Sequence, residues 1–204
     1  MNEKFFALPE EKQRAIINAG YRVFSQSPYK KSPMSEIADA AGISKSLLFH
    51  YFRNKKELYL FLLDNCVRVT VEYVQRYGSF EQKDLFESMY RGLQAKAHMM
   101  RRYPDMGAFV IKAYYENDPE VCREVQGYIV RYGSFQAVTS TLKLDPEQFV
   151  PGLDLEMMYR DMFWAADGYL CEKSQSGEMD VDQMERDLAR LIDFWKGLYL
   201  RKEA

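Results

Sequence analysis

The residues of this sequence whose types and spacing favour chemistry lie together between Ser32 and Phe52. Two short helical patterns meet there at Gly42, and the small side chains of Ala38 and Ala41 allow the two helices to approach closely. The second pattern keeps several side chains away from its apolar face, where they can reach base edges and phosphates in the major groove of DNA. These outward residues are Ser44, Lys45, Ser46, Phe49 and His50.

The net charge of -2 is distributed unevenly along the chain. Ten of the 28 Lys and Arg residues but only six of the 30 Asp and Glu residues lie within residues 1–60, which gives this segment a charge of +4 and the rest -6. A basic head on an acidic body suits a protein that meets a polyanion at one end and stays soluble at the other.

Other functional classes find little support in the sequence. The three Cys residues are far apart and form no C-x-x-C pair, so we expect no disulfide framework, no metal site and no cofactor, and a reducing cytoplasm. The chain has no phosphate-binding glycine loop or nucleophile elbow and only two His residues, so we expect no enzyme. It also has no apolar stretch long enough to span a membrane. An enzyme and a purely structural helical adaptor remain the competing classes, and salt-sensitive binding to duplex DNA separates a regulator from both.

The elements that must position these residues are helices, because apolar residues recur at three- and four-residue spacing almost throughout. Asn54 is expected to cap a long fourth helix with Glu57 as its reciprocal partner, and Gly78 to end it. We predict a helix-turn-helix domain over 1–55 and a ligand-sensing and dimerisation domain over 56–204. The other helices are predicted over about 9–24, 33–41, 44–51, 85–103, 104–116, 119–142, 155–174 and 181–201.

The first quarter of the chain resembles the TetR family of transcriptional regulators. The resemblance rests on residues 36–38, 41–45, 50–52 and 55–58, which agree with the family pattern in order and spacing. It implies an all-α fold, in which an N-terminal three-helix helix-turn-helix domain is joined by a long helix to a C-terminal helical ligand-binding and dimerisation domain. It also implies a cytoplasmic homodimer that represses transcription from double-stranded operator DNA until a small hydrophobic or aromatic effector releases it.

The family roles carry over to this sequence by position. Lys45 and Ser46 would approach base edges, and Phe49 stands where the family commonly has a Tyr that contacts DNA. Tyr51 and Lys55 would hold phosphates, and Ser44 would cap the recognition helix close to the DNA backbone.

The sequence departs from the family pattern at three positions. Ser46 replaces a frequent Gly, Phe49 lacks the hydroxyl of the common Tyr, and Pro33 stands in place of a capping Thr. Ser32, followed by proline at the first helical position, is expected to restore that cap, and Ser32 is counted among the predicted DNA-contacting residues although the change from Thr to Pro shifts the phosphate contact. For His50, contact with a base edge and a surface position without a DNA contact agree equally well with the sequence.

The last two predicted helices carry an apolar heptad stripe that favours a dimer. Two such helices from each subunit would form an intermolecular four-helix bundle; the alternative is that the stripe packs within one subunit. The predicted interface comprises Leu155, Tyr159, Met162, Phe163 and Ala166 on the first of these helices and Met184, Leu188, Leu191, Trp195 and Leu198 on the second.

The middle of the chain is rich in Met and aromatic residues, which suit a pocket for a hydrophobic or planar effector and suit an ordinary core equally well. The predicted pocket residues are Met99, Met100, Met106, Phe109, Tyr114, Tyr128 and Phe163.

Overall fold

The computed structural model describes residues 3–82, 84–132, 144–176 and 180–201, and these residues form an all-helical fold, as predicted. Residues 133–142 of the helix predicted over 119–142 lie outside the described residues. The helices are α1 Glu3–Phe6, α2 Glu10–Gln26, α3 Met34–Ala40, α4 Lys45–Tyr51, α5 Lys55–Arg76, α6 Leu85–Arg102, α7 Met106–Tyr114, α8 Cys122–Tyr132, α9 Leu155–Ser176 and α10 Val181–Tyr199.

The helix ends follow the capping residues of the sequence. The side chain of Asn54 accepts a hydrogen bond from the backbone N–H of Glu57 at 2.8 Å, and the Glu57 carboxylate accepts one from the N–H of Arg53 at 2.8 Å. Asp180 caps α10 in the same way by accepting from the N–H of Gln183 at 2.7 Å. Gly78 has φ +60°, a left-handed conformation that glycine adopts without a steric penalty. Local sequence therefore determines where these helices begin and end.

The chain folds as two compact units. The first unit holds the described parts of residues 1–70 and 102–134, and the second unit holds those of 71–101 and 135–204. The predicted DNA-binding segment 1–55 lies within the first unit, which also includes α7 and α8.

An aromatic core organises the first unit. The ring of Tyr59 on α5 lies 4.9 Å from that of Phe24 on α2, 5.1 Å from that of Tyr29 and 5.2 Å from that of Phe109 on α7. Such ring pairs add to the free energy of simple area burial. This core fixes α2, α5 and α7, and thereby the frame on which α3 and α4 are mounted.

The helix α1 was not predicted from the sequence, and it covers one side of the first-unit core. Phe5 is fully buried, and its ring centroid lies 5.1 Å from those of Phe52 and Phe61. Phe52 therefore closes the core behind the helix-turn-helix.

A separate core of aliphatic, Met and aromatic side chains organises the second unit. Most of its buried members come from α6, α9 and α10 and include Phe86, Leu93, Met158, Met184 and Trp195. No described helix combines the length and the apolar composition that a membrane span requires.

The turn between α3 and α4 contains Gly42, whose left-handed conformation can be tested by substitution. Gly42 has φ +67°, and a Cβ placed there would meet no atom within 4 Å, so Gly42→Ala introduces strain without a clash. We expect a loss of about 1–2 kcal/mol in unfolding free energy, the cost of a left-handed non-glycine residue. Gly127, in the middle of α8 of the same unit, also faces open space, and Gly127→Ala should gain about 0.5–1 kcal/mol. Urea denaturation of the two variants measures both; shifts of the same sign would contradict the assignment.

Candidate functional site

The helix α4 is held in place at its first residue by a side-chain cap. Ser44 precedes the helix, and its Oγ accepts a hydrogen bond from the N–H of Leu47 at 3.2 Å. The same oxygen lies 3.1 Å from the Oγ of Ser46. The predicted capping role of Ser44 is therefore present in the structure, and it fixes the helical phase of every residue that follows.

That phase divides α4 into a buried and an exposed side. Leu48 is completely buried, and it anchors the helix to the core of the first unit. The five residues predicted to face outward, Ser44, Lys45, Ser46, Phe49 and His50, are all exposed.

The exposed side of α4 combines a positive charge with apolar surface. Leu47 and Phe49 are 37% and 40% exposed, although both are large hydrophobic residues. The ammonium of Lys45 lies 5.9 Å from the centre of the Phe49 ring, within range of a cation–π contact. Leu47 was not among the predicted contact residues, because its apolar type suggests a core position.

Three of the predicted DNA-contacting residues are placed differently. Tyr51 is on the buried side of α4, with its ring packed at 6.2 Å against that of Phe5. Ser32 is fully buried, and its Oγ lies at hydrogen-bonding distance from the carbonyls of Ser27 and Pro28, so it does not cap α3. Both side chains are used inside the first unit, which corrects the prediction that they face DNA.

Lys55, the third, is bound to the turn before α3. Its ammonium donates to the carbonyl of Tyr29 at 2.8 Å and to that of Lys30 at 3.3 Å, and lies 4.3 Å from the centre of the Tyr29 ring. The N–H of Tyr29 also donates to the buried Glu116 carboxylate at 2.8 Å. The structure thus gives Lys55 a positioning role in this conformation instead of the predicted phosphate contact.

The same turn presents two lysines that sequence reasoning counted as charge but assigned no role. Lys30 and Lys31 form part of the 3₁₀ turn Tyr29–Lys31, and both are exposed. The available signal was the Lys30–Lys31 pair directly after Tyr29 and just before the helix-turn-helix.

A cavity of about 290 Å³ lies within the second unit, between α6, α9 and α10. Only Phe163 of the predicted pocket residues lines it. It is lined by Met89, Gly92, Leu93, Lys96, Tyr159, Met162, Phe163, Ala166, Leu170, Leu188, Ile192 and Trp195.

The other predicted pocket residues are divided between the two units. Met100 belongs to the core of the second unit, and Met99 on the same helix is half-buried. Met106 and Phe109 are buried in the first unit, where Tyr128 is half-buried and Tyr114 is exposed. Met and aromatic content identified apolar side chains correctly but did not show which of them surround a space.

Lys96 is the charged residue in the cavity lining. It is half-buried, and no hydrogen bond or ion pair to its ammonium occurs among the described residues. Burial lowers the pKa of Lys96, and the charge of Asp167 partly opposes this effect.

The predicted dimer stripe is largely covered within a single chain. Met162, Met184, Leu188 and Trp195 are buried in the core of the second unit. Leu155, Tyr159, Ala166 and Leu191 pack partly buried against the same core, which leaves Phe163 and Leu198 exposed. The structure therefore corrects the prediction for Met162, Met184, Leu188 and Trp195, whose buried side chains are not available to a second subunit.

Two residues of the predicted interface, Phe163 and Leu198, are exposed on these helices together with three large apolar residues that were not predicted. More than half of the surface of each is accessible, or half in the case of Leu198. Isolated exposed hydrophobic residues are normal, but a group of large ones on adjacent helices indicates an interaction surface. We call this set the α9–α10 apolar face; it comprises Met157, Phe163, Trp164, Phe194 and Leu198.

Comparison with known proteins agrees with this geometry. Residues 16–61, from α2 to the first part of α5, match the family model described as bacterial regulatory proteins, tetR family. The transcriptional activator FasR of Mycolicibacterium smegmatis is 37% identical over 76 residues, which are 37% of this chain and 35% of FasR. The chain thus aligns with about a third to a half of the length of the curated relatives it matches.

Two solved structures show the same fold over nearly the whole chain. A TetR-family regulator from Chloroflexus aurantiacus superposes with a TM-score of 0.64 at 24% identity, covering 98% of both chains. The fatty acid degradation regulator FadR from Bacillus halodurans gives 0.61 at 16% identity, covering 87% of this chain and 96% of its own. All three proteins are named as regulators, which agrees with the expectation that the chain is not an enzyme.

Proposed function

We propose that this chain is a sequence-specific DNA-binding transcriptional regulator of the TetR family and of the cytoplasm. The proposal rests on the orientation of α4 and on the residues that it exposes. A cap at Ser44 and an anchor at Leu48 fix a short helix whose outer side is exposed and carries Lys45, Ser46, Phe49 and His50.

The dimensions and chemistry of α4 suit the major groove. Its seven residues span about 10 Å, and the groove of B-DNA admits one α-helix. Lys45 can donate to guanine O6 or N7, Ser46 can bond to either kind of base edge, and the Phe49 ring can contact a thymine methyl group. Lys30 and Lys31 supply the phosphate contacts that position the helix without reading sequence.

Selection of binding sites from random duplex DNA tests this proposal. On the selected site, Lys45→Ala should lower affinity by about 10- to 100-fold, corresponding to the 1–3 kcal/mol of one base-reading pair, and relax the preference at one position. Lys12→Ala, an exposed lysine of the neighbouring α2, is the matched control and should change little. Fluorescence anisotropy at several salt concentrations measures both. Equal effects of the two substitutions, or no sequence preference in the selected pool, would refute the assignment of α4.

A homodimer is the second part of the proposal. Two α4 helices about 34–36 Å apart would enter successive major grooves on one side of DNA. The α9–α10 apolar face supplies a surface on which a second copy of the chain can bury Trp164 and Phe194. This face replaces the heptad stripe as the proposed interface.

Regulation by a ligand is the third part. The 290 Å³ cavity among Met and aromatic side chains supports a small, largely hydrophobic effector, and we propose that its binding releases a repressor from DNA. The ligand must bind the released state more tightly than the DNA-bound state, since equal affinity shifts nothing. FasR is named as an activator, so the direction of control needs its own test. Transcription in vitro from a promoter that carries the selected site should fall when the protein is added; a rise would make it an activator.

A further inference from the structure

The walls of the second-unit cavity are mainly apolar and carry one charged side chain. Met89 and Leu93 on α6, Met162 on α9 and Trp195 on α10 form much of the lining, and Lys96 brings a positive charge among them. Lys96 is half-buried and lines the cavity, so its positive charge lies beside an apolar space that the packing of the core does not fill. Partial loss of water by a charged group is costly unless an opposite charge compensates it.

The protein itself compensates this charge only weakly. Asp167 on α9 attracts the ammonium electrostatically, but it is exposed, and no ion pair joins the two side chains in the described part of the chain. Burial accordingly lowers the pKa of Lys96, as expected of an ammonium that has lost water without gaining a close partner. The site offers one positive charge that a bound anion can pair with at short range.

We propose that the cavity binds an amphipathic monocarboxylate, whose apolar body fills the space between α6, α9 and α10 and whose carboxylate pairs with the ammonium of Lys96. The volume equals that of roughly ten water molecules in the liquid, which corresponds to a ligand of about ten non-hydrogen atoms. This inference deepens the proposed effector site and rests on the proposed function only for the ligand's effect on DNA binding.

The single positive charge of the cavity favours a monocarboxylate over neutral ligands and over phosphate monoesters. A neutral hydrocarbon or alcohol would fill the space but leave the ammonium dehydrated and unpaired. A phosphate monoester carries close to two negative charges near pH 7, of which one lysine neutralises one, while Asp167 disfavours the other. A single carboxylate matches the single ammonium.

Calorimetric titration of the full-length protein without DNA tests the proposal. Octanoate, with ten non-hydrogen atoms, and 4-phenylbutyrate are the anionic probes, and 1-octanol is the neutral counterpart of octanoate. We expect at least one of the two carboxylates to bind, and octanoate to bind at least tenfold more tightly than 1-octanol. Lys96→Met should weaken carboxylate binding at least tenfold and leave 1-octanol binding unchanged.

Arg91→Met is the matched control, because it removes a positive charge from the same helix at a residue that pairs with Glu87 and does not line the cavity. It should bind both probes as the unmodified protein does. If Lys96→Met does not fold, the comparison of octanoate with 1-octanol on the unmodified chain still decides the question, and Lys96→Arg should retain carboxylate binding.

The outcomes separate this site from the proposed function. Failure of both carboxylates to bind, equal affinities for octanoate and 1-octanol, or undiminished carboxylate binding by Lys96→Met would overturn the proposal, whatever the result with DNA. If the unmodified protein shows no sequence-specific DNA binding, the regulator assignment is wrong, but the result of the ligand titration still stands.

Discussion

Replacing Phe194 with glutamate is expected to convert the protein to monomers and to weaken binding to its selected site by about 10²- to 10⁴-fold, the typical gain from linking two binding modules. Phe194 lies in the α9–α10 apolar face and is 59% exposed, so the change removes little from the core of a single chain. In a dimer, however, it would bury two uncompensated carboxylates at the interface.

Sedimentation velocity and anisotropy with the selected duplex measure the two effects together. Val71→Glu is the matched control: it places the same charge at a 49% exposed valine on α5, outside the α9–α10 apolar face. It should leave both the oligomeric state and DNA affinity unchanged. A dimer that survives Phe194→Glu at low micromolar concentration would rule out this face as the interface.

The adjacent residues Leu47 and Leu48 on α4 should differ strongly in their response to substitution by alanine. Leu48 is 0% exposed, so Leu48→Ala is expected to destabilise the first unit by about 2–5 kcal/mol through lost burial and the remaining cavity. Leu47 is 37% exposed, and Leu47→Ala should change stability by no more than about 0.5 kcal/mol. Its effect should appear in DNA affinity, because it removes apolar surface from the groove-facing side.

Urea denaturation reports the stability of each variant, and hydrogen exchange at the amides of α3 and α4 locates the loss. Leu47→Ala provides an internal standard, since both variants delete the same atoms from the same helix. Similar stability losses in the two variants would show that α4 is rotated relative to the orientation described above.

The orientation of α4 was predictable because its determinants are local. The cap at Ser44, the left-handed Gly42 and the spacing of apolar residues to Leu48 all lie within a few residues of one another. By contrast, Lys55 donates to carbonyl groups of Tyr29 and Lys30, and such partners far along the chain depend on tertiary packing. Ser32 is close in sequence to its partners Ser27 and Pro28, but its position in the family motif does not reveal them.

The predicted dimer residues are only partly available on the surface of the chain. A heptad stripe shows that a helix face is covered, but not whether the cover belongs to the same chain. In this protein α6 and α9 contribute the core that covers Met184, Leu188 and Trp195. The signal for a further surface was the excess of large apolar residues outside the stripe, namely Trp164 and Phe194.

The cavity lysine also had a signal in the sequence that was not used. Met89, Leu93 and Met100 follow the helical period on α6, and Lys96 falls in the same row. A charged residue within an apolar row breaks the binary pattern, and such breaks tend to occur at functional sites. Composition drew attention to Met and aromatic residues and away from this position.

The bond between Lys55 and the turn before α3 has a consequence for substitutions in that turn. Its acceptors are the backbone carbonyls of Tyr29 and Lys30, groups that a residue of any type would present. The bond therefore specifies a point along the main chain and places no demand on the side chain at position 30 or 31. Substitution of Lys30 or Lys31 would therefore leave both acceptors of Lys55 in place, so the proposed DNA-contacting surface can change without loss of this bond.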